Sequence, residues 1–157
     1  MKKWIAAISL AAVAAFAMPN DEVQLVMMSK MAQKKAIVLA TMNLDGEKKE
    51  AFGNLYDEYQ EKMAKVLGDK LNVIVQYAKN YEKLDDATAK KLMNDWFKIK
   101  DAALALQKEY AKKFEKVLTP AEVIRYMQIE HRFNILREAE IAELVPLAQP
   151  PKAIPGK

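Results

Sequence analysis

The chain has 157 residues, of which 52% are hydrophobic and 29% are charged, enough apolar material for one domain with a core. Its formal net charge of +4 becomes +2 without Lys2 and Lys3, since 23 basic residues then face 21 acidic ones. Lysine and glutamate are interleaved along the chain, which argues against nucleic acid as a partner. Cysteine is absent, which excludes disulfides and cysteine-based metal or catalytic sites.

The first 17 residues predict a cleavable signal peptide. A basic start at residues 1–3 precedes the apolar segment 4–14, and Ala15 and Ala17 supply the small residues that signal peptidase reads. The apolar segment is shorter than the ~20 residues of a membrane-spanning helix. We therefore expect cleavage after Ala17, export to the periplasm and no stable membrane insertion.

Composition and periodicity predict an all-α fold for a single domain over residues 18–147. Glycine is scarce, with 4 in the chain, and the stretches between prolines are rich in good helix formers. No segment alternates polar and apolar residues long enough to predict a strand. The pattern predicts four long helices in an elongated hairpin or bundle, over residues 20–42, 45–81, 84–117 and 120–144. The last of them is apolar on several sides, which predicts that neighbouring helices or the second subunit of a homodimer surround it. The Pro-rich segment 148–157 is predicted to be a disordered tail.

The second and third predicted helices have the clearest amphipathic patterns. Apolar residues recur at intervals of three, four and seven, and in the third helix the repeat approaches a coiled-coil seam. Only a few residues separate these helices, which favours an antiparallel hairpin. Within the second helix, Gly68 and Asp69 mark the most favoured position for a kink, because glycine weakens a helix by ~1 kcal/mol relative to alanine.

The last predicted helix begins with the sharpest start signal in the sequence. Leu118, Thr119 and Glu122 have the pattern of a capping box preceded by a hydrophobic staple. The same helix holds all three arginines of the chain, Arg125, Arg132 and Arg137. Its glutamates include Glu122, Glu130, Glu138 and Glu140. Because planar guanidinium groups suit carboxylates, we expect these charges to form salt bridges between helices or to dock onto a partner protein.

Methionine and tyrosine supply the candidate protein-binding residues. Met27, Met28 and Met31 cluster on the first helix, and Tyr56 and Tyr59 lie on the second. Flexible thioethers suit adaptable binding surfaces, and tyrosine combines an apolar ring with a polar tip. Both residue types are also ordinary core residues. The sequence leaves both interpretations open.

No recognisable catalytic set is present. The sequence lacks G-x-S-x-G, a Gly-rich phosphate loop and H-E-x-x-H, so we expect neither enzyme activity nor a cofactor. His131, the one histidine, carries the alternative hypothesis of a haem carrier in which a first-helix methionine supplies the second ligand. The first-helix methionines could likewise hold Cu(I), since soft thioethers favour that ion.

The segment Leu118-Thr119-Pro120-Ala121-Glu122 resembles the L-T-x-x-Q motif of the Spy/CpxP family, with Glu122 in place of glutamine. The segment 125–130, together with residues 145–147, is also similar to the C-terminal part of other small exported helical proteins. The family resemblance implies helical hairpins that pair into a dimer, and activity as ATP-independent chaperones or envelope-stress accessories. It therefore predicts a periplasmic protein that contacts partly unfolded or envelope proteins. A dedicated regulatory partner of one envelope protein is the other interpretation.

Overall fold

The computed structural model describes the backbone of residues 20–148 and the side chains of residues 28–148. This part of the chain forms no strand; its helices are α1 (Asn20–Met42), α2 (Gly46–Asn80), α3 (Asp86–Phe114) and α4 (Pro120–Leu144), with a 3₁₀ turn at Tyr81–Lys83. The predicted all-α class with four long helices is confirmed. The predicted signal peptide, residues 1–17, and the predicted tail beyond Ala148 lie outside the described residues.

The chain divides into two compact units, Met1–Asp45 and Gly46–Lys157. In the first unit, α1 is followed by Asn43, whose φ of 51° is left-handed, a conformation that asparagine adopts at helix ends. Its amide donates to the Leu39 carbonyl over 3.3 Å. The second unit opens with Gly46, whose φ of 54° is also left-handed and costs glycine no steric strain.

In the second unit, α2 and α3 form the predicted antiparallel hairpin. The ring centroids of Phe52 and Phe114 are 5.5 Å apart, and those of Tyr59 and Tyr110 are 5.3 Å apart. Further along α2, the Lys70 ammonium lies 5.0 Å from the Trp96 ring centroid. Residue numbers rise along α2 while those of their α3 partners fall, so the two helices run in opposite directions.

The predicted helix starts of α3 and α4 are confirmed by their cap hydrogen bonds. Asp85 Oδ1 accepts from the Thr88 amide over 2.8 Å, so Asp85 is the N-cap of α3. At α4, Thr119 Oγ1 accepts from the Glu122 amide over 3.3 Å and Glu122 Oε2 accepts from the Thr119 amide over 2.7 Å. These two bonds complete the capping box predicted from the sequence.

α4 runs parallel to α2 and is fastened to it along most of its length. Lys48 and Glu122 form an ion pair of 3.1 Å near the start of both helices. Lys70 and Glu138 pair in the second half, and the Tyr77 hydroxyl donates to the Pro146 carbonyl over 2.8 Å. α2 is therefore the central helix, with α3 on one side and α4 on another.

The sequence predicted salt bridges between helices for the charged residues of α4, and two of its carboxylates form them. The carboxylates Glu122 and Glu138 do bridge between helices, but their partners are lysines of α2. Arg137 instead donates from Nη2 to Asn134 Oδ1 of its own helix over 2.6 Å. A lysine stem can run along the apolar face of α2 before its ammonium reaches α4, which suits a contact at the edge of a core.

α2 is continuous from Gly46 to Asn80, 35 residues, so it is not interrupted at the predicted kink at Gly68. At 1.5 Å per residue its length is about 52 Å. A side chain at Gly68 would meet nothing within 4 Å. Within residues 20–148, no helix is long and apolar enough to cross a membrane.

Candidate protein-binding surface

A cleft of about 220 Å³ opens between α3 and α4, with α2 supplying one residue of its lining. Its walls and floor are formed by Tyr59, Gln107, Tyr110, Ala111, Phe114, Tyr126, Met127, Glu130, His131 and Asn134. Pockets for whole small-molecule ligands usually have volumes of ~300–1,000 Å³. The smaller cleft has the size of one or two large apolar side chains.

Four packed aromatic rings form the floor of this α3–α4 cleft. The centroids of Phe114 and Tyr126 are 4.8 Å apart, and Tyr59 lies 5.3 Å from Tyr110 and 6.4 Å from Tyr126. The pairs are tilted or edge-to-face, the arrangements that aromatic rings prefer. All four side chains are buried, with at most 4% of their surface exposed. Because close-packed rings have little room to move, the floor is already formed in the unbound protein.

The polar groups around the floor are hydrogen-bonded to one another. Gln60 Nε2 donates to Glu130 Oε1 over 3.1 Å and to the Tyr126 hydroxyl over 3.5 Å, and the Tyr59 hydroxyl is hydrogen-bonded to Gln107. Burial, followed by the nearby Glu130 carboxylate, raises the pKa of Tyr59 to about 12. The same two causes raise the pKa of Tyr126 more strongly. Both phenols are therefore neutral at physiological pH, which fits a binding role better than a nucleophilic one.

An apolar strip on α3 continues from the cleft wall. Met93, Phe97 and Leu104 are 52%, 55% and 49% exposed. At about 100° per residue, these three side chains project within about 40° of Ala111, which lines the cleft. We call Met93, Phe97 and Leu104 the α3 strip. It spans 11 residue steps, or about 17 Å along the helix.

A second group of exposed apolar residues borders the cleft on α4. Met127 lines the cleft and is 42% exposed. Ile124 and Ile135 are also exposed and project within about 80° of Met127 around the helix. We call Ile124, Met127 and Ile135 the α4 strip. The cleft is thus bordered by large exposed apolar side chains on both of its helices.

Exposed apolar residues also occur away from the cleft. Leu136 is 64% exposed but lies about 180° around α4 from Met127. Leu71 and Leu144 are exposed as well. Single exposed leucines are normal on protein surfaces and need no special explanation. They provide matched positions for experiments on the two strips.

The residues predicted to bind proteins are scattered in the structure. Met28 and Met31 are exposed on α1 in the first unit, and the side chain of Met27 lies outside the described residues. Tyr56 and Tyr59 are buried, so Tyr59 contributes to the cleft floor and not to an exposed surface. The three arginines of α4 differ in exposure: Arg125 and Arg132 are exposed, and Arg137 is half-buried. Of the motif residues, Leu118 is buried, and Thr119 and Glu122 form the capping box.

The residues of the α3 strip are not among the binding residues predicted from the sequence. The coiled-coil-like seam of α3 assigns Trp96 and its neighbours on that face to the core, and Phe97 falls off the seam. The signal was present, because a large aromatic residue off the buried face of an amphipathic helix has no core partner. On α4, the apolar residues Met127 and Ile135 likewise lie off the buried face that Tyr126 and Ile129 form.

His131 lies at the cleft, where it is exposed on α4 one turn after Met127. The haem hypothesis pairs it with a methionine of α1, which belongs to the other unit, and that pairing stays a prediction. Among the side chains that the structure describes, no group of three or more histidine, aspartate or glutamate residues is arranged to hold a metal ion.

Comparisons with protein-family models, with curated proteins and with solved structures give no match to this chain. The resemblance of Leu118–Glu122 to the L-T-x-x-Q motif therefore stays a hypothesis.

Proposed function

We propose that this protein is an exported, ATP-independent, chaperone-like binding protein that holds apolar segments of other proteins on the α3–α4 cleft and its two strips. The observation that carries the proposal is the alignment of three half-exposed large apolar side chains on α3 with the wall of a preformed aromatic cleft. An apolar surface left open on a folded domain is characteristic of sites that bind other molecules.

The dimensions of the surface favour a helical or extended segment as the bound element. Amphipathic helices bind in grooves by placing anchor residues at intervals of three, four and seven. The α3 strip has intervals of four and seven, Met93 to Phe97 and Phe97 to Leu104, so its side chains can interdigitate with such a pattern. The cleft could then receive one larger anchor side chain beside Met127.

The expected affinity is modest. Complete burial of a large apolar side chain contributes about 1.5–3 kcal/mol, so each half-exposed strip residue contributes about 1 kcal/mol. Six such residues together give roughly 6 kcal/mol before the cost of ordering the partner, which places the dissociation constant in the range of tens of micromolar or weaker. Weak and reversible binding suits a protein that must release its clients without hydrolysing a nucleotide.

The proposed location is the periplasm, because residues 1–17 have the pattern of a signal peptide. The absence of cysteine lets the exported chain keep one covalent state in an oxidising compartment. Membrane fractionation of cells that express the full chain, with N-terminal sequencing of the product, should find a soluble periplasmic form that begins at Met18. A product that retains residues 1–17 would contradict this location.

The function is tested by aggregation assays with the mature protein. We expect it to reduce light scattering by several unrelated chemically unfolded clients. Phe97→Ser with Leu104→Ser should lower this activity at least severalfold, since both changes remove apolar surface from the α3 strip. Leu136→Ser is the matched control, because it removes a more exposed leucine from the opposite face of α4.

Circular dichroism should show the same helix content and thermal midpoint in both variants, because neither variant replaces a buried side chain. The proposal is overturned if the mature protein protects no client. It is also overturned if the double variant protects clients as well as the wild type does.

A further inference from the structure

We infer that the α3 strip selects apolar segments that carry carboxylates beside their anchor residues, in preference to segments flanked by lysine or arginine. This inference rests on the proposed function and adds a chemical class to its clients. It comes from the positions and partners of the lysines on α3.

Three lysines flank the α3 strip at helical intervals. Lys90 precedes Met93 by three residues, Lys100 lies between Phe97 and Leu104, and Lys108 follows Leu104 by four residues. Residues separated by three or four positions are neighbours on a helix surface. All three lysines are exposed, so they are accessible to a segment that binds on the strip.

Three other lysines of α3 have carboxylate partners. Lys91 and Lys98 pair with Asp95 over 2.6 and 3.6 Å, and Lys113 pairs with Glu109 over 3.0 Å. Within the described side chains, by contrast, no carboxylate lies within ion-pair distance of the lysines that flank the strip. Lys100 has one further contact, since its ammonium lies 5.5 Å from the Trp96 ring centroid.

The neighbouring acidic groups leave this face positive. Two carboxylates of α3 lie near the strip, Asp86 one turn before Lys90 and Asp101 between Phe97 and Leu104. On α4, Glu138 is held by Lys70 of α2, and Glu130 is buried in the cleft and accepts from Gln60. Three lysines against two aspartates give the strip a local charge of about +1.

A segment that places carboxylates beside its apolar anchors can therefore bury those anchors and pair with the lysines in the same position. Electrostatic complementarity of this kind acts mainly on partner choice and on the association rate. Exposed pairs contribute modestly, about 0.2–1 kcal/mol each, so three of them should separate acidic from basic segments by roughly tenfold in affinity. Added salt should reduce that ratio, because exposed charges are screened over ~10 Å at 0.1 M.

The experiment uses two helix-forming peptides with the same apolar anchors, one with glutamate and one with lysine at the flanking positions. Fluorescence anisotropy with the mature protein at low salt should show roughly tenfold tighter binding of the glutamate peptide, and the ratio should shrink at 0.5 M NaCl. The triple variant Lys90→Glu, Lys100→Glu and Lys108→Glu should reverse the preference.

The matched control is a second triple variant with the same change of net charge. Lys49→Glu, Lys79→Glu and Lys83→Glu alter exposed lysines outside α3 and should leave the preference for the glutamate peptide almost unchanged. An equal response of the two triple variants would mean that overall charge, and not the α3 strip, chooses the partner, and the inference would be wrong.

The remaining outcomes separate the inference from the proposed function. If both peptides bind equally, and Phe97→Ser with Leu104→Ser weakens both, the charge selectivity is refuted while the proposed function stands. If neither peptide binds and no client is protected, the proposed function itself fails. A third arm uses vesicles of equal parts phosphatidylglycerol and phosphatidylcholine. Binding to these vesicles through the strip lysines, without a preference between the peptides, would overturn the inference in favour of a membrane surface.

Discussion

The ion pair between Lys70 and Glu138 gives a sharp test of how the second unit is held together. Lys70 is 8% exposed and lies on the central helix α2. Its ammonium pairs with Glu138 of α4 and faces the Trp96 ring of α3 at 5.0 Å. The Glu138 side chain is half-exposed. One buried cation therefore connects α2 with both helices that form the cleft.

The two partners should respond differently to substitution because only one of them is buried. Glu138→Ala leaves a buried ammonium without its carboxylate. Breaking a buried pair costs 3–5 kcal/mol, and access of water beside the half-exposed position reduces this to about 1–3 kcal/mol. Lys70→Met keeps the apolar stem and removes the buried charge, so we expect a change in the free energy of unfolding between zero and about 2 kcal/mol in the stabilising direction.

The double variant isolates the interaction. In the Lys70→Met background, Glu138→Ala should cost less than about 0.5 kcal/mol, as for an ordinary surface substitution. The coupling energy between the two positions is then about 0.5–3 kcal/mol. Urea unfolding followed by the fluorescence of Trp96, the one tryptophan beyond the predicted signal peptide, measures all four proteins with a probe next to the pair. An equal cost of Glu138→Ala in both backgrounds would refute the pairing and its role in fastening α4.

Three further predictions concern the core and the helices. Phe114→Ala removes a ring that is 1% exposed and should lower the free energy of unfolding, measured with urea, by about 3–5 kcal/mol. Phe97→Ala on the α3 strip should lower it by less than about 0.5 kcal/mol. Equal losses in the two variants would contradict the assignment of Phe114 to the core and Phe97 to the strip. Gly68→Ala meets no atom within 4 Å and should stabilise α2 by up to about 1 kcal/mol, raising the thermal midpoint; a lower midpoint would indicate a hidden clash. Because burial raises the pKa of Tyr59 to about 12 and that of Tyr126 more strongly, the unfolded chain loses these phenolic protons first, near pH 10. The contribution of these two tyrosines to the free energy of unfolding should be fully present below about pH 10. It should be lost as the pH rises towards their pKa values in the folded protein. Absorbance at 295 nm should then show a late phase that coincides with loss of helical ellipticity, and ionisation of all tyrosines near pH 10 in an intact fold would contradict this.

The parts of the fold that depend on local chemistry could be predicted from the sequence. The caps at Asp85 and Thr119 act over three residues, so the pattern alone identifies them. The hairpin of α2 and α3 follows from two clear apolar stripes and a short connection. The end of α3 was placed three residues too late, at Val117 in place of Phe114, because apolar residues continue into the turn after the helix.

The docking of α4 could not be predicted, because it depends on residues far apart in the chain. Lys48 and Glu122 are separated by 74 positions, and nothing in either local sequence indicates that the two will meet. The arginines were the more conspicuous donors, yet lysines of α2 occupy the contact positions.

The candidate surface was only partly predictable for a related reason. Whether an apolar side chain is core or surface depends on which helix covers it. Tyr56 and Tyr59 were candidates for an exposed surface and are buried, because α3 and α4 both supply aromatic rings to that face of α2. Phe97 lies next to Trp96 in the sequence and projects about 100° away from it, which turns it out of the seam.

Photocrosslinking from the α3 strip tests the central claim most directly. Phe97→p-benzoylphenylalanine places a crosslinker on the strip, and the same substitution at Leu136 places one on the opposite face of α4. In the mature protein, with an unfolded client present, position 97 should form crosslinks to the client and position 136 should form few or none. Equal crosslinking from both positions, or none from position 97 while the client is protected, would show that clients bind elsewhere.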